Sequence, residues 1–299
     1  MDVLRIEDLQ KRFGDKQVLR GLSMSIPQNS VFGFVGRNGA GKTTTMRAIL
    51  GLLRPDGGRV EVMGERVCFG ETATNRHIGY LPDVPAFYPF LTAREYLALC
   101  GEGLEMERGE IKRRSEELLE RVGLSHETHR IRGYSRGMKQ RLGIAQALLS
   151  KPKLLICDEP TSALDPIGRR EILDLLLAVR DETTVLFSTH ILSDVERICT
   201  DVAILHEGVV AMEGSVETLR RMRGTEEVTI ELVSAEDAER LMREIPSLTR
   251  RSGEILTFSG DDAAFFSLLS RLAEQGILPR RIERAEPTLE ALFLEVTGA

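Results

Sequence analysis

A glycine-rich segment near the beginning of the chain has the residue types and the spacing of a phosphate-binding loop. Its sequence at positions 36–43 is Gly-Arg-Asn-Gly-Ala-Gly-Lys-Thr. In such a loop the glycines let several backbone N–H groups face phosphate oxygens, the lysine reaches the β- and γ-phosphates, and the threonine hydroxyl is a ligand for Mg²⁺. The pattern predicts a nucleoside triphosphate site formed by Gly36, Arg37, Asn38, Gly39, Ala40, Gly41, Lys42, Thr43 and Thr44.

The segments on either side of this loop provide the context that it needs. Val31–Val35 is a short apolar run that predicts a buried strand, and Met46, Ile49 and Leu50 recur at helical spacing after the loop. A strand before the loop and a helix after it direct the positive N-terminal end of the helix at the phosphates. A glycine-rich turn that only opens a helix is the alternative, and the flanking elements argue against it.

An acidic pair follows a second predicted strand. Leu154–Cys157 is apolar and leads directly to Asp158 and Glu159. Because ligands bind at the carboxyl ends of strands in open α/β sheets, we expect both carboxylates to face the phosphate loop. Asp158 is predicted to hold Mg²⁺ through water, and Glu159 is predicted to act as the general base on an attacking water. An ordinary acidic cap at a strand end is the alternative, which the complete phosphate loop disfavours.

The segment at positions 134–141, Tyr-Ser-Arg-Gly-Met-Lys-Gln-Arg, resembles the signature motif of ATP-binding cassette (ABC) proteins. The usual form is Leu-Ser-Gly-Gly-Gln, and this chain departs from it at the first, third and fifth positions. Ser135 and Gly137 are kept. The resemblance implies that these two residues bind the γ-phosphate of an ATP held by an opposite subunit. It therefore implies a head-to-tail dimer, of this chain with itself or with a paralogue, around two ATP·Mg²⁺.

Four further residues match other parts of the ABC pattern in order along the chain. Asp165 ends a segment similar to the D-loop, which crosses the dimer interface, and His190 matches the switch histidine that contacts the γ-phosphate. Phe13 matches the aromatic residue that stacks on adenine. Asp83 occupies the position where the family usually has a glutamine that links Mg²⁺ and the lytic water to the membrane partner. Asp83 is therefore a candidate Mg²⁺ residue, together with Thr43 and Asp158.

The resemblance and the strand–helix rhythm together predict an α/β fold. Residues 1–222 are expected to form a P-loop NTPase ABC cassette with a RecA-like α/β core, an antiparallel β subdomain and a helical subdomain at about 85–150. Within the helical part, Thr92 and Glu95 have the spacing of a capping box. Residues 226–299 are expected to form a small α+β domain with the order strand, helix, strand, helix, strand, helix.

Bulk properties limit the classes of partner. The formal net charge of -6 argues against a nucleic-acid binder. No apolar run approaches the roughly 18 residues that a membrane span needs. The four cysteines, at positions 68, 100, 157 and 199, fit neither a zinc pattern nor a disulfide framework, so we expect buried thiols in a reducing cytosol. These properties favour a soluble or peripheral protein, and the resemblance implies a place at the cytoplasmic face of a bacterial membrane.

The resemblance implies an ATPase that energises transport through a separate integral-membrane permease. The tail at positions 286–293 is similar to one bacterial branch, whose permeases export drugs, antibiotics, lipids or sodium. The apolar segment at positions 87–91, Phe-Tyr-Pro-Phe-Leu, is either the surface that receives a cytoplasmic helix of the permease or a part of the core.

Two alternatives to transport remain open at the level of sequence. The first is a non-transport cassette, such as a repair, translation or iron–sulfur assembly ATPase. Repair types carry a long coiled coil and translation types carry two cassettes, neither of which this chain has, whereas the iron–sulfur type is compatible with its architecture. The second alternative is a regulatory module that binds ATP without turnover, and the presence of Glu159 and His190 argues against it.

Overall fold

The computed structural model describes residues 2–71, 73–222, 227–285 and 288–297. Contacts divide the chain into two units, one comprising Met1–Val216 with Glu295–Ala299 and the other comprising Glu217–Leu294. Residues 223–226, where the sequence placed the domain boundary, and residues 286–287 of the tail lie outside the described residues. Within the described ranges, no helix is both long enough and apolar enough to cross a bilayer.

The first unit has a mostly helical middle, and strands and helices alternate after it, as the sequence predicts. Its strands are β1 (Asp2–Phe13), β2 (Lys16–Pro27), β3 (Val31–Gly36), β4 (Gly57–Val62), β5 (Glu65–Arg66), β6 (Ile78–Leu81), β7 (Leu154–Asp158), β8 (Thr184–Thr189), β9 (Asp201–His206) and β10 (Val209–Ser215). The helices up to the division are α1 (Lys42–Ile49), α2 (Ala93–Gly103), α3 (Arg108–Arg121), α4 (Arg136–Leu148), α5 (Pro166–Ala178) and α6 (Leu192–Ile198), and α7 (Val216–Met222) spans the division.

A six-stranded sheet of order β10-β9-β3-β8-β7-β6 forms the centre of the first unit. The five strands from β9 to β6 run parallel, and β10 is antiparallel to β9. Every residue of β3, β7 and β8 is buried, which is why these segments are continuous apolar runs rather than alternating ones. The parallel arrangement brings the carboxyl ends of these three strands to one edge of the sheet.

A second, antiparallel sheet of order β2-β1-β4-β5 packs on the same core. One face of β1 and β2 is buried, with irregularities in the pairing that interrupt strict alternation, and its apolar residues share one cluster with Phe32 and Phe34 of β3 and Met46 of α1. This cluster fixes the phosphate loop, since β3 and α1 flank it. The α/β core, the antiparallel β subdomain and the helical subdomain expected from the sequence are all confirmed.

Helices α2, α3 and α4 form the helical subdomain. The Thr92 hydroxyl accepts from the backbone N–H of Glu95, and the Glu95 carboxylate accepts from that of Thr92, so the predicted capping box is present. Helix α4 packs closely along β6 because two glycines leave room for it. A Cβ atom at Gly79 would overlap the carbonyl oxygen of Ala147, and one at Gly143 would overlap Leu81.

The second unit is a split β-α-β-β-α-β arrangement followed by a last helix. Its elements are β11 (Glu227–Leu232), α8 (Ala235–Glu244), β12 (Leu248–Ser252), β13 (Ile255–Ser259), α9 (Asp262–Glu274), β14 (Pro279–Ala285) and α10 (Leu289–Thr297), and the sheet order is β12-β13-β11-β14. The predicted order of six elements was wrong by one strand. Gly253, at φ +48°, allows a tight turn that divides one expected strand into the hairpin β12–β13.

The cysteines are free, and one of them departs from the prediction. Cys157 is buried, Cys100 and Cys199 are partly buried, but Cys68 is exposed. Cys68 follows β5 in a surface connection, so apolar character alone was a poor guide to its burial. Burial raises the pKa of the Cys157 and Cys199 thiols, which keeps both protonated at neutral pH.

The contact between α4 and β6 yields a test of stability. We expect Gly79→Ala to lower the free energy of unfolding by about 1–3 kcal/mol, because the new methyl group meets a backbone carbonyl that cannot move freely. Gly109→Ala in α3 is the matched control, since a Cβ atom there meets open space, and it should raise stability by up to about 1 kcal/mol. Urea denaturation followed by circular dichroism measures both; equal effects at the two positions would contradict the packing described.

Candidate functional site

The phosphate loop has the backbone conformation that its glycines permit. It leaves β3 at Gly36 and enters α1 at Lys42. Gly39 and Gly41 adopt φ values of +84° and +117°, in the left-handed region that side-chain-bearing residues rarely occupy. The N–H of Ala40 donates to the carbonyl of Arg37 at 3.1 Å, which closes the turn. The N-terminal N–H groups of α1 therefore face the concave side of the loop.

Lys42 is 6% exposed and is held by the loop that precedes it. Its ammonium donates to the carbonyl oxygen of Gly36 at 2.6 Å and lies 3.2 Å from Oε1 of Glu159. A buried ammonium needs such partners because desolvation is costly. The arrangement keeps a positive charge between the loop and the acidic pair.

Two of the three residues predicted to bind Mg²⁺, Thr43 and Asp158, are in direct contact. The Thr43 hydroxyl donates to Oδ2 of Asp158 at 2.8 Å, and the Ser188 hydroxyl donates to Oδ1 at 2.6 Å. Asp158 is 3% exposed, so these two hydroxyls satisfy a carboxylate that water hardly reaches. Ser188 was not predicted as a site residue. Its position at the end of β8, two residues before His190, was the available signal.

Glu159 is held in a constrained conformation at the end of β7. Its φ is +47°, and its N–H donates to the carbonyl oxygen of Ser188 at 3.1 Å and to the Ser188 hydroxyl at 3.2 Å. Oε2 lies 2.9 Å from Nδ1 of His190. Oε1 is buried and lies 3.2 Å from the Lys42 ammonium. One carboxylate oxygen is thus oriented by His190, and the other lies beside Lys42 and the phosphate loop.

A buried network holds the segment that follows Glu159. The Thr161 hydroxyl donates to Oδ2 of Asp194 at 2.8 Å, and Nε of Arg169 donates to Oδ1 of Asp194 at 2.6 Å. Asp194 is 2% exposed, and both of its oxygens are paired. The network joins α5 and α6 to the strand end and restrains the position of the acidic pair.

The loop, the acidic pair and Asp83 enclose a cavity of about 360 Å³. Burial raises the pKa of Asp83, the charge of Arg136 opposes this shift, and the charges of Asp158 and Glu159 reinforce it. Val18 was missed by the sequence reasoning, because its place in a half-buried strand gave no sign of a pocket. The lining residues are Val18, Arg37, Asn38, Gly39, Gly41, Lys42, Thr43, Thr44, Asp83, Asp158 and Glu159.

The residues present fit a nucleotide-bound Mg²⁺ better than a metal held by protein alone. Among the described residues, no group of three or more His, Cys, Asp and Glu side chains could hold a metal ion. Mg²⁺ is commonly held by one or two carboxylates together with water and substrate phosphates. The paired Thr43 hydroxyl and Asp158 carboxylate provide that kind of partial ligand set beside the loop.

Seven of the predicted residues are not among those that line the cavity: Gly36 and Ala40 of the phosphate loop, and Ser135, Gly137, Asp165, Phe13 and His190. Ser135 caps α4 and accepts from the N–H of Met138 at 3.2 Å, and Gly137 lies in the first turn of the same helix. Asp165 caps α5 and accepts from the N–H of Gly168 at 2.7 Å. Phe13 ends β1 with half of its surface exposed, and the Lys11 ammonium lies 5.4 Å from its ring centroid. His190 also has an exposed ring, yet it reaches the site through Glu159.

Comparison with known proteins gives matches along nearly the whole chain. The family described as ABC transporter matches residues 19–162. An uncharacterised ABC transporter ATP-binding protein of Bacillus subtilis, YxlF, is 38% identical over 99% of this chain and 100% of its own length. The bacitracin transport ATP-binding protein BcrA of Bacillus licheniformis is 37% identical over 99% of this chain and 97% of its own length.

Solved structures give the same result. CbiO1 of Clostridium perfringens, part of the ABC transporter complex cbiONQ, superimposes with a TM-score of 0.69 and 26% identity, over 82% of this chain and 96% of that one. The phosphate loop, Asp83, the signature segment and the acidic pair all lie within the residues that the family model matches, whereas Phe13, Asp165 and His190 lie outside them. The chain belongs to the ATP-binding proteins of ABC transporters and is the nucleotide-binding subunit of such a system.

Proposed function

We propose that this chain hydrolyses ATP with Glu159 as general base and that hydrolysis energises transport through a separate membrane permease. The observation that carries the proposal is the state of the Glu159 carboxylate. One oxygen is oriented by His190 at 2.9 Å, and the other is buried beside the phosphate loop, 3.2 Å from the Lys42 ammonium. A regulatory module that only binds ATP has no need of a carboxylate held at this place.

The loop and its neighbours bind the triphosphate. The N–H groups of residues 39–44 face the phosphate oxygens, and Lys42 moves little because its ammonium is already held at the loop. Thr43 and Asp158 would hold Mg²⁺, with Asp83 at the rim of the same cavity. When bound, Mg²⁺ neutralises charge on the β- and γ-phosphates. Phe13 is the candidate stacking partner for adenine.

Glu159 removes a proton from the attacking water. The water oxygen forms a bond to the γ-phosphorus, the bond from that phosphorus to the β,γ-bridging oxygen breaks, and Oε1 of Glu159 accepts the proton. The products are ADP and inorganic phosphate. His190 keeps the carboxylate oriented through Oε2, and its exposed ring is the candidate contact for the γ-phosphate.

A second subunit would complete the site. Ser135, Gly137 and Asp165 match family positions at the dimer interface, yet they do not line the cavity of their own chain. Ser135 is exposed and begins a 13-residue helix, so its hydroxyl and the neighbouring N–H groups are available to an anion. These observations support a head-to-tail dimer in which each signature segment faces the ATP of the other subunit.

The apolar segment at positions 87–91 is mainly a surface rather than a part of the core. Tyr88 and Phe90 are 53% and 60% exposed, and they line a groove with Leu91 and Leu99. This supports docking of a cytoplasmic helix of the permease at the groove, with the chain at the cytoplasmic face of a bacterial membrane. The name of the relative BcrA refers to bacitracin transport, which supports export of an antibiotic or similar compound.

Mg²⁺-dependent ATP hydrolysis by the purified chain tests the proposal. We expect turnover by the wild type and a fall of at least about 100-fold in Glu159→Gln, because a positioned general base contributes about 100-fold or more. Lys42→Ala should fall by a similar factor through loss of phosphate binding. Phosphate release measured over time gives the turnover rate of the wild type and of each variant. Turnover in Glu159→Gln equal to that of the wild type would rule out the assigned base.

The same variant tests the dimer. Glu159→Gln binds ATP but cannot cleave it, so it should sediment as a dimer when ATP and Mg²⁺ are present. The control combines Glu159→Gln with Lys42→Ala and should remain a monomer because ATP is not held. Analytical ultracentrifugation measures both. A monomer of Glu159→Gln at saturating ATP would contradict the shared site.

Ser188 is predicted to position both carboxyl groups of the acidic pair. Ser188→Ala leaves Asp158 Oδ1 without its hydroxyl donor, so we expect about tenfold slower ATP turnover and a loss of about 1–3 kcal/mol in the free energy of unfolding. The matched control is Thr184→Val at the other end of β8, which removes a buried hydroxyl that accepts from Asn29 N–H. The control should lose similar stability and keep its turnover; a parallel loss of turnover would count against a role for Ser188.

A further inference from the structure

The two clearest departures from the ABC pattern are in contact with each other. Asp83 stands where the family usually has glutamine, and Arg136 stands at the third position of the signature segment, where the usual form has glycine. Nη2 of Arg136 donates to Oδ1 of Asp83 at 3.4 Å. The residues are 53 positions apart in the chain. Neither motif on its own explains why it has a charged residue at this position.

Helix α4 holds the backbone of Asp83 as well as its side chain. Nε2 of Gln140 donates to the carbonyl oxygen of Asp83 at 2.7 Å, and Gln140 is fully buried. Arg136, Gln140 and Gly143 are spaced by four and three residues, so they lie on one face of the helix. Gly143 allows this face to approach Leu81, the last residue of β6. Three residues on one face of α4 therefore contact the end of β6 and the segment that follows it.

The charges around the cavity explain why an arginine is needed here. Three carboxylates line the cavity, those of Asp83, Asp158 and Glu159, against the cations of Arg37 and Lys42. A glutamine at position 83 would add no charge. An aspartate there adds a negative charge near two others. Their repulsion raises the electrostatic energy of the charged Asp83 side chain unless a cation is close. Arg136 is that cation, and it approaches from outside the group of lining residues.

We propose that Arg136 is a positioning residue that holds the Asp83 carboxylate at the phosphate cavity, where it would be available to the Mg²⁺ of bound ATP. The inference rests on the proposed ATP·Mg²⁺ site. It assigns to the signature segment a role within its own chain, in addition to the role toward a second subunit that its resemblance implies. The cation site and the start of α4 are thereby linked in one polypeptide.

The Mg²⁺ concentration that gives half-maximal binding of a fluorescent ATP analogue tests this assignment. Arg136→Gln and Asp83→Asn should each raise that concentration about two- to fivefold, the range expected for a pair whose side chains are 43% and 46% exposed. Arg136→Lys keeps the charge and should restore most of the wild-type value. Thermal unfolding of each variant shows whether its fold is retained.

Two control variants distinguish an effect of the Asp83–Arg136 pair from a general effect of charge on α4. Glu171→Gln breaks the Arg141–Glu171 pair, which joins the same helix to α5 at 3.3 Å and lies away from the cavity, so its Mg²⁺ titration should match the wild type. When Asp83 is already replaced by glutamine, Arg136→Gln should not change the half-maximal Mg²⁺ concentration further, because the neutral amide needs no counter-charge.

The outcomes that overturn the inference differ from those that contradict ATP hydrolysis. Three results would each overturn it. The first is an Arg136→Gln variant with the wild-type half-maximal Mg²⁺ concentration, and the second is a further increase in that concentration when Arg136→Gln is added to Asp83→Gln. The third is analogue binding that does not depend on Mg²⁺. A wild-type chain that binds the analogue with Mg²⁺ but releases no phosphate would contradict the proposed hydrolysis, while the shifts in the titrations would still support the Asp83–Arg136 pair.

Discussion

The carboxylate of Asp158 accepts hydrogen bonds from two directions, from Thr43 at the start of α1 and from Ser188 at the end of β8. These two bonds join the phosphate loop, the acidic pair and the strand that leads to His190. They are possible because β3, β7 and β8 are parallel neighbours whose carboxyl ends lie at one edge of the sheet. Without this convergence the loop would be a glycine-rich turn and Glu159 would be an isolated carboxylate.

The charges of the site depend on the same convergence. Lys42 is nearly buried and is stabilised by the loop carbonyls and by Glu159, while Glu159 is also oriented by His190. Each charge thus has a partner before a substrate arrives, which offsets part of the cost of burying it. A triphosphate brings further negative charge, and Mg²⁺ at Thr43 and Asp158 would balance it. The pair of Asp83 and Arg136 extends this balance to the helical subdomain.

Local motifs could be predicted from the sequence because their chemistry is encoded in short spacings. The phosphate loop, the capping box at Thr92 and the strand before Asp158 each depend on residues a few positions apart. Ser188 and Arg136 could not be assigned in this way, since their roles appear only when the fold brings distant segments into contact. Val18 was missed for the same reason.

The second unit and Cys68 show a different limit. The turn at Gly253 is a local signal, but short strands around it are easily taken for one element. Cys68 is as apolar as its buried counterparts, and only its place in a surface connection exposes it. The groove near Tyr88 and Phe90, proposed above to receive the permease, shares no lining residue with the phosphate cavity.

The proposed mechanism assigns ATP binding to one set of residues and the chemistry to another. Calorimetric titration of ATP, with Mg²⁺ present, into wild type, Lys42→Ala and Glu159→Gln tests it most directly. We predict that Glu159→Gln binds ATP at least as tightly as the wild type, since only the proton acceptor is lost, and that Lys42→Ala shows no measurable binding. Equal loss of binding in both variants would contradict the separation of roles and with it the assignment of Glu159 as the base.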